Sequence, residues 1–221
     1  MIWEKASELT NRQHLLVLYG TNSLTDSMHF PEILTPEELA GAGRLHDQEQ
    51  KKTWLCCRAS LRLSLASVLN SSPQELKFMK NHFGKLSLRN SDLFFNVSHS
   101  KHAFLLAFNY NGRVGVDLEL LDGSEDLPLL AEYAFSEPEK HYCLHGKSPE
   151  RFTEVWTRKE AFLKAAGVGL VNQLTAFSVL GDTNNAIDQF KLNQKSFLCP
   201  HGESGAIVYK GVQPVKFVCL I

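Results

Sequence analysis

The 221-residue chain has no excess of charge of either sign: 23 Lys and Arg face 24 Asp and Glu, for a formal net charge of −1. A global positive field able to hold nucleic acid is therefore absent, although a local basic patch is still allowed. Long apolar runs are also missing. Stretches such as Leu15 to Tyr19 and Ala103 to Phe108 fall far short of the roughly 20 residues a membrane helix needs. The opening Met-Ile-Trp-Glu-Lys-Ala-Ser-Glu has no basic stretch leading into an apolar one, so no signal peptide is expected. The five cysteines, Cys56, Cys57, Cys143, Cys199 and Cys219, are odd in number and never spaced Cys-x-x-Cys. That argues against a disulfide framework and for a reducing, cytoplasmic setting. No Gly-x-Ser-x-Gly occurs, which disfavours a serine hydrolase. Repeats and low-complexity tracts are lacking too. The expectation is a monomer with neither a nucleic-acid nor a membrane partner.

What is present can build a core: 43 % of residues are hydrophobic and 21 % charged. Leu15 to Tyr19 reads as a buried strand. Thr35-Pro36-Glu37-Glu38 reads as a helix start, with a cap, a first-position proline and then acids. From about Gly43 to Leu69, Trp54, Leu55, Leu61, Leu65 and Leu69 recur at helical intervals, and Arg58 and Arg62 share one face. Leu93 to Val97 reads as a strand ending in a polar Ser98-His99-Ser100-Lys101 turn. Ala103 to Tyr110 and Val114 to Leu120 read as strands joined by an Asn111-Gly112 hairpin turn. Ser136-Glu137-Pro138-Glu139 opens a further helix. Another spans about Pro149 to Ala166 and ends on Gly167. Phe177 to Val179, Phe190 to Leu192, Ala206 to Tyr209 and Val215 to Leu220 read as antiparallel strands. The fold class is α+β: two α/β halves, residues 1–112 and 113–221, each with strands and one long helix.

Two acids stand out. In Val114-Gly115-Val116-Asp117-Leu118-Glu119-Leu120, alternation places Val114, Val116, Leu118 and Leu120 on one face and Asp117 and Glu119 on the other, roughly 7 Å apart along the backbone. A solvated polar face accounts for that strand taken alone. The later helix adds more. Phe152, Val155, Trp156, Phe162, Leu163 and Ala166 form its apolar stripe, Glu160 and Lys164 flank it one turn apart, and Lys159 falls near its middle. There Lys159 either snorkels outward or meets a carboxylate. Glu160 either pairs with Lys164 at the surface or joins Asp117 and Glu119 as a third carboxylate. Three hard oxygen ligands would suit Mg²⁺. Asn96-Val97-Ser98-His99-Ser100 offers hydroxyls and an imidazole, and Gly84-Lys85 a close backbone and a point charge, all suited to phosphate. His141-x-Cys143-x-His145 lacks a second ligand cluster and reads as a surface helix rather than a zinc site.

In order, Phe95-Asn96-Val97-Ser98-His99-Ser100, Val114-Gly115-Val116-Asp117-Leu118-Glu119 and Trp156-Thr157-Arg158-Lys159-Glu160-Ala161-Phe162-Leu163-Lys164 resemble the motifs of the Sfp-type 4'-phosphopantetheinyl transferase family. Gly84-Lys85, Phe135-Ser136 with Glu139, and the Arg58-x-x-Leu61-Arg62 helix fit as well. The likeness runs from about Arg44 to Val179. It implies two halves related by a pseudo-twofold axis, with coenzyme A in the cleft between them. It implies Mg²⁺ on Asp117, Glu119 and Glu160. Coenzyme A phosphates would lie on Lys85, Ser98, His99 and Lys164, and Arg44 would reach the nucleotide end. Glu160, Lys164 and His99 would be catalytic, moving the phosphopantetheine arm to a serine of an apo acyl, peptidyl or polyketide carrier protein. The alternatives are another Mg²⁺-dependent phosphohydrolase and a non-catalytic carrier-binding protein. Two departures from the pattern are Leu86 in place of the proline of Gly-Lys-Pro, and Glu38 and Gly41 in place of lysines before Arg44. The segment Gly167 to Leu174, with Val168, Leu170, Val171 and Leu174, is expected either to form the carrier surface or to cap the helix and return to the core.

Overall fold

Ala103 to Phe108 carries no polar side chain, and both faces of this strand are covered. The computed structural model describes residues 4–5, 13–89, 91–120, 127–144, 148–168, 174–181 and 191–220. Strands β1 (Glu4–Lys5), β2 (Leu15–Thr21), β5 (Phe94–His99), β6 (Ala103–Asn109) and β10 (Val215–Cys219) form one sheet in the order β1-β10-β2-β6-β5. Strands β7 (Val114–Glu119), β8 (Leu192–Leu198) and β9 (Ser204–Lys210) form a second in the order β7-β9-β8. A small hairpin pairs β3 (Phe78–Lys80) with β4 (Leu86–Leu88). The helices are α1 (Phe30–Ile33), α2 (Pro36–Ala42), α3 (Gln48–Leu69), α4 (Leu127–Ala134), α5 (Glu137–Leu144) and α6 (Pro149–Ala166). The mixed α+β class read from the sequence holds.

Strand alternation builds four layers. Leu16, Leu18, Phe104 and Leu106 pack on Cys57, Leu61 and Leu65 of α3. From the opposite face of the same strands, Leu15, Val17 and Leu105 meet Val114, Val116, Leu118 and Ile207 of the second sheet. The far face of that sheet, through Ala206 and Val208, packs on Val155, Ala161 and Phe162 of α6. The order is α3, five-stranded sheet, three-stranded sheet, α6.

Several expectations shift. The helix expected from Gly43 begins at Gln48, because the Asp47 side chain caps it by accepting from the Gln50 amide at 2.9 Å. Ser98 and His99 belong to β5 rather than to a turn. Asn111-Gly112 joins strands of different sheets, so it closes no hairpin. Strand β10 pairs parallel with β2 in the first sheet and is not part of an antiparallel C-terminal set. Leu120 is exposed. Phe177 to Val179 is not a strand. Helix α4 was not foreseen.

A buried ion pair explains the last loop. Lys159, on α6, is 1 % exposed and lies 2.9 Å from Glu139, which is fully buried. Lys159 also donates to the carbonyls of Leu174 (2.7 Å) and Phe177 (2.8 Å) and stands over the Phe177 ring. Glu139 accepts from the Ser136 amide and hydroxyl and from the Val179 amide. The pair therefore ties α5, α6 and residues 174–179 together, and the backbone there bonds to side chains instead of a neighbouring strand. Snorkelling is excluded.

Gly115, in β7, lies under α6. A Cβ there would stand 2.1 Å from the Ala161 carbonyl oxygen and 2.3 Å from the Ala165 nitrogen, both backbone atoms. Gly115→Ala is expected to destabilise the fold by about 3 kcal/mol or more, read as a lower urea midpoint with unchanged slope. Lys159→Met leaves Glu139 as an unpaired buried charge and is expected to cost about 3–5 kcal/mol in the same measurement; wild-type stability would show that the pair does not hold the loop.

Candidate active site

Strands β5 and β7 lie side by side without a continuous ladder. The Asn96 side-chain oxygen accepts from the Val116 amide at 2.8 Å and sets their register. Two residues further on, Ser98 Oγ donates to Asp117 Oδ1 at 2.9 Å. Lys164 Nζ, arriving from α6, lies 2.6 Å from the same oxygen and 3.0 Å from Ser98 Oγ. Asp117 is only 2 % exposed, so the acid face of β7 turns toward α6 and not to solvent. Its second oxygen, Oδ2, is buried with no hydrogen-bond partner among the described residues. One buried carboxylate thus has a cation on one oxygen and an open acceptor on the other.

The other two acids stand close enough to feel it. Burial and then Asp117 push Glu119 up to about 7, with Glu160 adding to the shift and the Trp156 indole, donating to Glu119 Oε1 at 3.3 Å, opposing it. Burial and then Asp117 also raise Glu160, against the pull of Lys164. Two glutamates whose charge is disfavoured beside Asp117 define a place short of cations. Among the described residues, no group of three or more acid, histidine or cysteine side chains is already placed to hold a metal ion.

Glu160 and Lys164 open into a cleft of about 380 Å³ between the two helices, lined also by Trp54 and Arg58 of α3, by Phe83 to Leu86, by Asn96, Val97 and His99, and by Gly167 and Val168. His99 stands at the exposed end of β5; desolvation by the walls and then the Lys164 charge lower its pKa. Lys85 crosses from the hairpin to donate to the carbonyls of Val114 (3.0 Å) and Lys164. Burial and then Arg113 lower its pKa to about 8. Cys57 also lines the cleft, but it is buried, and burial pushes that thiol up to about 12, so it is a neutral wall and no nucleophile.

Of the residues picked from the sequence, the cleft gathers Lys85, His99, Glu160 and Lys164, with Ser98 and Asp117 immediately beneath and Glu119 next to Asp117. Arg44 is exposed and is not among the cleft's lining residues. Glu38, noted as a departure, completes the capping box with Thr35 and binds Arg62 at 2.6 Å and Arg58 at 3.2 Å. His141 is exposed and Cys143 buried, so they point apart on α5, and His145 lies outside the described residues. Of the expected carrier surface, Gly169 to Gln173, with Leu170 and Val171, lies outside the described residues. Leu174 is buried in the core and so is removed from that surface. Val168 is exposed at the cleft. Sequence reasoning missed Trp54 and Phe83 as lining residues of the cleft, and Asn81 as the residue that braces its hairpin. The helical spacing of Trp54 and Arg58 was the available signal for the first.

Comparison with known proteins bears on this arrangement. The sequence profile of the 4'-phosphopantetheinyl transferase superfamily matches residues 113–213, which include Asp117, Glu119, Glu160 and Lys164. The chain is 37 % identical over 145 residues to the 4'-phosphopantetheinyl transferase HetI of Nostoc sp., covering 62 % of this chain and 61 % of HetI. It is 34 % identical over 167 residues to slr0495 of Synechocystis sp., provisionally named a 4'-phosphopantetheinyl transferase, covering 73 % of this chain and 67 % of that one. It is 26 % identical over 164 residues to the 4'-phosphopantetheinyl transferase Sfp of Bacillus subtilis, covering 71 % and 70 %. The chain thus spans about three fifths of the length of HetI and two thirds or more of the other two. With the ordered motifs on one cleft and these relatives, the chain belongs to the 4'-phosphopantetheinyl transferase superfamily.

Proposed function

We propose that the chain transfers the 4'-phosphopantetheine arm of coenzyme A to a serine hydroxyl of an apo carrier protein, with release of 3',5'-ADP. The observation that carries this reading is that Glu160, Lys164 and His99 line one cleft between α3 and α6, with Asp117 bonded to Lys164 beneath it and Glu119 beside Asp117. The donor set suits Mg²⁺ in its chemistry: three hard oxygen donors, one with a buried oxygen that lacks a hydrogen-bond partner among the described residues. When held by Asp117, Glu119 and Glu160, the ion offsets negative charge on the diphosphate.

The rest of the chemistry falls to the chain itself. Lys85, His99 and Lys164 bind the phosphates, and Ser98 holds Lys164 and Asp117 in place below them. The serine oxygen of the carrier attacks the β-phosphorus of coenzyme A. The bond from that phosphorus to the oxygen bridging to the α-phosphate breaks, and 3',5'-ADP leaves. The serine proton passes to Glu160, the acid that lines the cleft. Lys164 and His99 stabilise the charge that builds on the phosphate oxygens. Residues 1–112 and 113–221 serve as two halves about a pseudo-twofold axis. In support, each places a long helix on the outer face of its sheet, with the sheets back to back. Strand β10 departs from the symmetry by joining the first sheet.

Asp117→Ala, Glu119→Ala and Glu160→Ala are each expected to lower carrier modification by at least about a hundredfold with the fold retained by circular dichroism. Chelation by EDTA should abolish the reaction and added Mg²⁺ restore it; full activity in EDTA rejects the metal assignment. Incubation with coenzyme A, Mg²⁺ and a panel of apo-carriers is expected to add the mass of the phosphopantetheine arm to at least one of them. Release of 3',5'-ADP without any carrier would instead identify a phosphohydrolase.

A further inference from the structure

The β3–β4 hairpin is short, with three residues in each strand, and forms its own two-stranded sheet. Such a hairpin is marginally stable by itself. Its tip nevertheless carries Lys85 across to β7 and α6. The Asn81 side chain accounts for how the tip is held. Its Oδ1 accepts from the amides of Phe83 (3.0 Å) and Lys85 (2.9 Å). Its Nδ2 donates to the Gly167 carbonyl at 2.9 Å, at the C-terminal end of α6. Backbone bonds from Asn81 N to Lys85 O and from Gly84 N to Asn81 O, each 3.0 Å, close the same turn. Gly84 turns the corner with φ +82.

We infer that Asn81 is a positioning residue that sets the turn aiming Lys85 and latches that turn to the end of helix α6. This rests on the coenzyme A reading, in which Lys85 binds phosphate. The two jobs need two kinds of atom. An acceptor shapes the turn, because two amide donors converge on one oxygen. A donor makes the latch, because Gly167 offers a carbonyl. An amide supplies both, a carboxylate supplies only the acceptor, and alanine supplies neither. The proximity is close enough to be specific: a Cβ on Gly167 would lie 3.7 Å from Asn81 Nδ2 and 4.0 Å from Lys85 Cδ.

The side-chain requirement gives the test. Asn81→Ala is expected to speed amide hydrogen exchange at Phe83 and Lys85. It should also weaken coenzyme A binding by calorimetry about tenfold, the equivalent of about 1.4 kcal/mol. Because Asn81 is exposed, Tm should stay within about 3 °C of wild type. Asn81→Asp keeps the acceptor, so exchange at both amides and coenzyme A affinity should stay within about threefold of wild type. It loses the latch and faces a carbonyl with a carboxylate, so its kcat should fall. Wild-type exchange and affinity in Asn81→Ala would overturn the inference. So would Asn81→Asp matching Asn81→Ala in every readout, or a large fall in Tm that accounts for both variants. If the wild-type protein binds no coenzyme A, the transferase reading fails, and hydrogen exchange alone decides whether Asn81 shapes and latches the turn.

Discussion

Helix α6 can lie against β7 only because Gly115 has no side chain. At that crossing the helix backbone takes the space a Cβ would fill, with the Ala161 carbonyl and the Ala165 amide at the contact. The close approach fixes which turn of α6 faces which residue of β7. Two positions along the strand from Gly115 is Asp117, and on the helix Glu160 and Lys164 flank the crossing. A larger residue at 115 would push the helix outward and separate Lys164 from Asp117, now 2.6 Å apart. Backbone packing therefore decides whether the charged groups meet, and no charged residue has to find its partner through a mobile side chain.

The same site joins the two sheets. Asn96 sets β5 beside β7 through one amide. That register brings Ser98 to Asp117 and leaves His99 at the strand end over the cleft. The hairpin tip adds Lys85 and Asn81, which bond to the carbonyls of Val114 and Gly167. The five-stranded sheet and the hairpin thus bring an imidazole, a hydroxyl and a lysine, and β7 and α6 bring the three acids and Lys164. A cleft assembled this way is sensitive to how these elements sit together, which is why the stitching contacts are polar and directional as well as apolar.

Much of this was legible in the sequence, and the reasons differ by residue. Alternation along Val114 to Glu119 separated the apolar face from the acids, because period two is a property of any strand. Helical winding placed Lys159 in the apolar stripe of α6, and its buried pairing with Glu139 follows from the cost of an isolated charge. Local pattern could not say that the acid face meets a helix instead of water, since that depends on Gly115 and on a helix some 40 residues later. Nor could it place β10 beside β2, a pairing across about 200 residues. Arg44 lies outside the cleft's lining, and a charged residue near a helix carries no mark in the sequence of which way it points. Asn81 carries no mark in the sequence because each of its three side-chain hydrogen bonds goes to a backbone atom that sequence does not identify.

Helix α6 carries two lysines five residues apart with different fates, and the difference follows from what each one faces. Lys159 is sealed between α5 and the loop after α6, where one carboxylate and two carbonyls surround it; burial lowers its pKa and Glu139 opposes that shift. It has no free face for a ligand, so its charge serves the fold. Lys164 is part-exposed at the cleft, and among the described residues its amine bonds Asp117 and Ser98. Between the two lysines lies Glu160, which burial and Asp117 raise and Lys164 pulls down. A cation shared with a single oxygen of Asp117 leaves Asp117 Oδ2, Glu119 and Glu160 without full neutralisation. The site is therefore more acidic than its own lysine can balance, which favours a further cation there and an anionic ligand next to it.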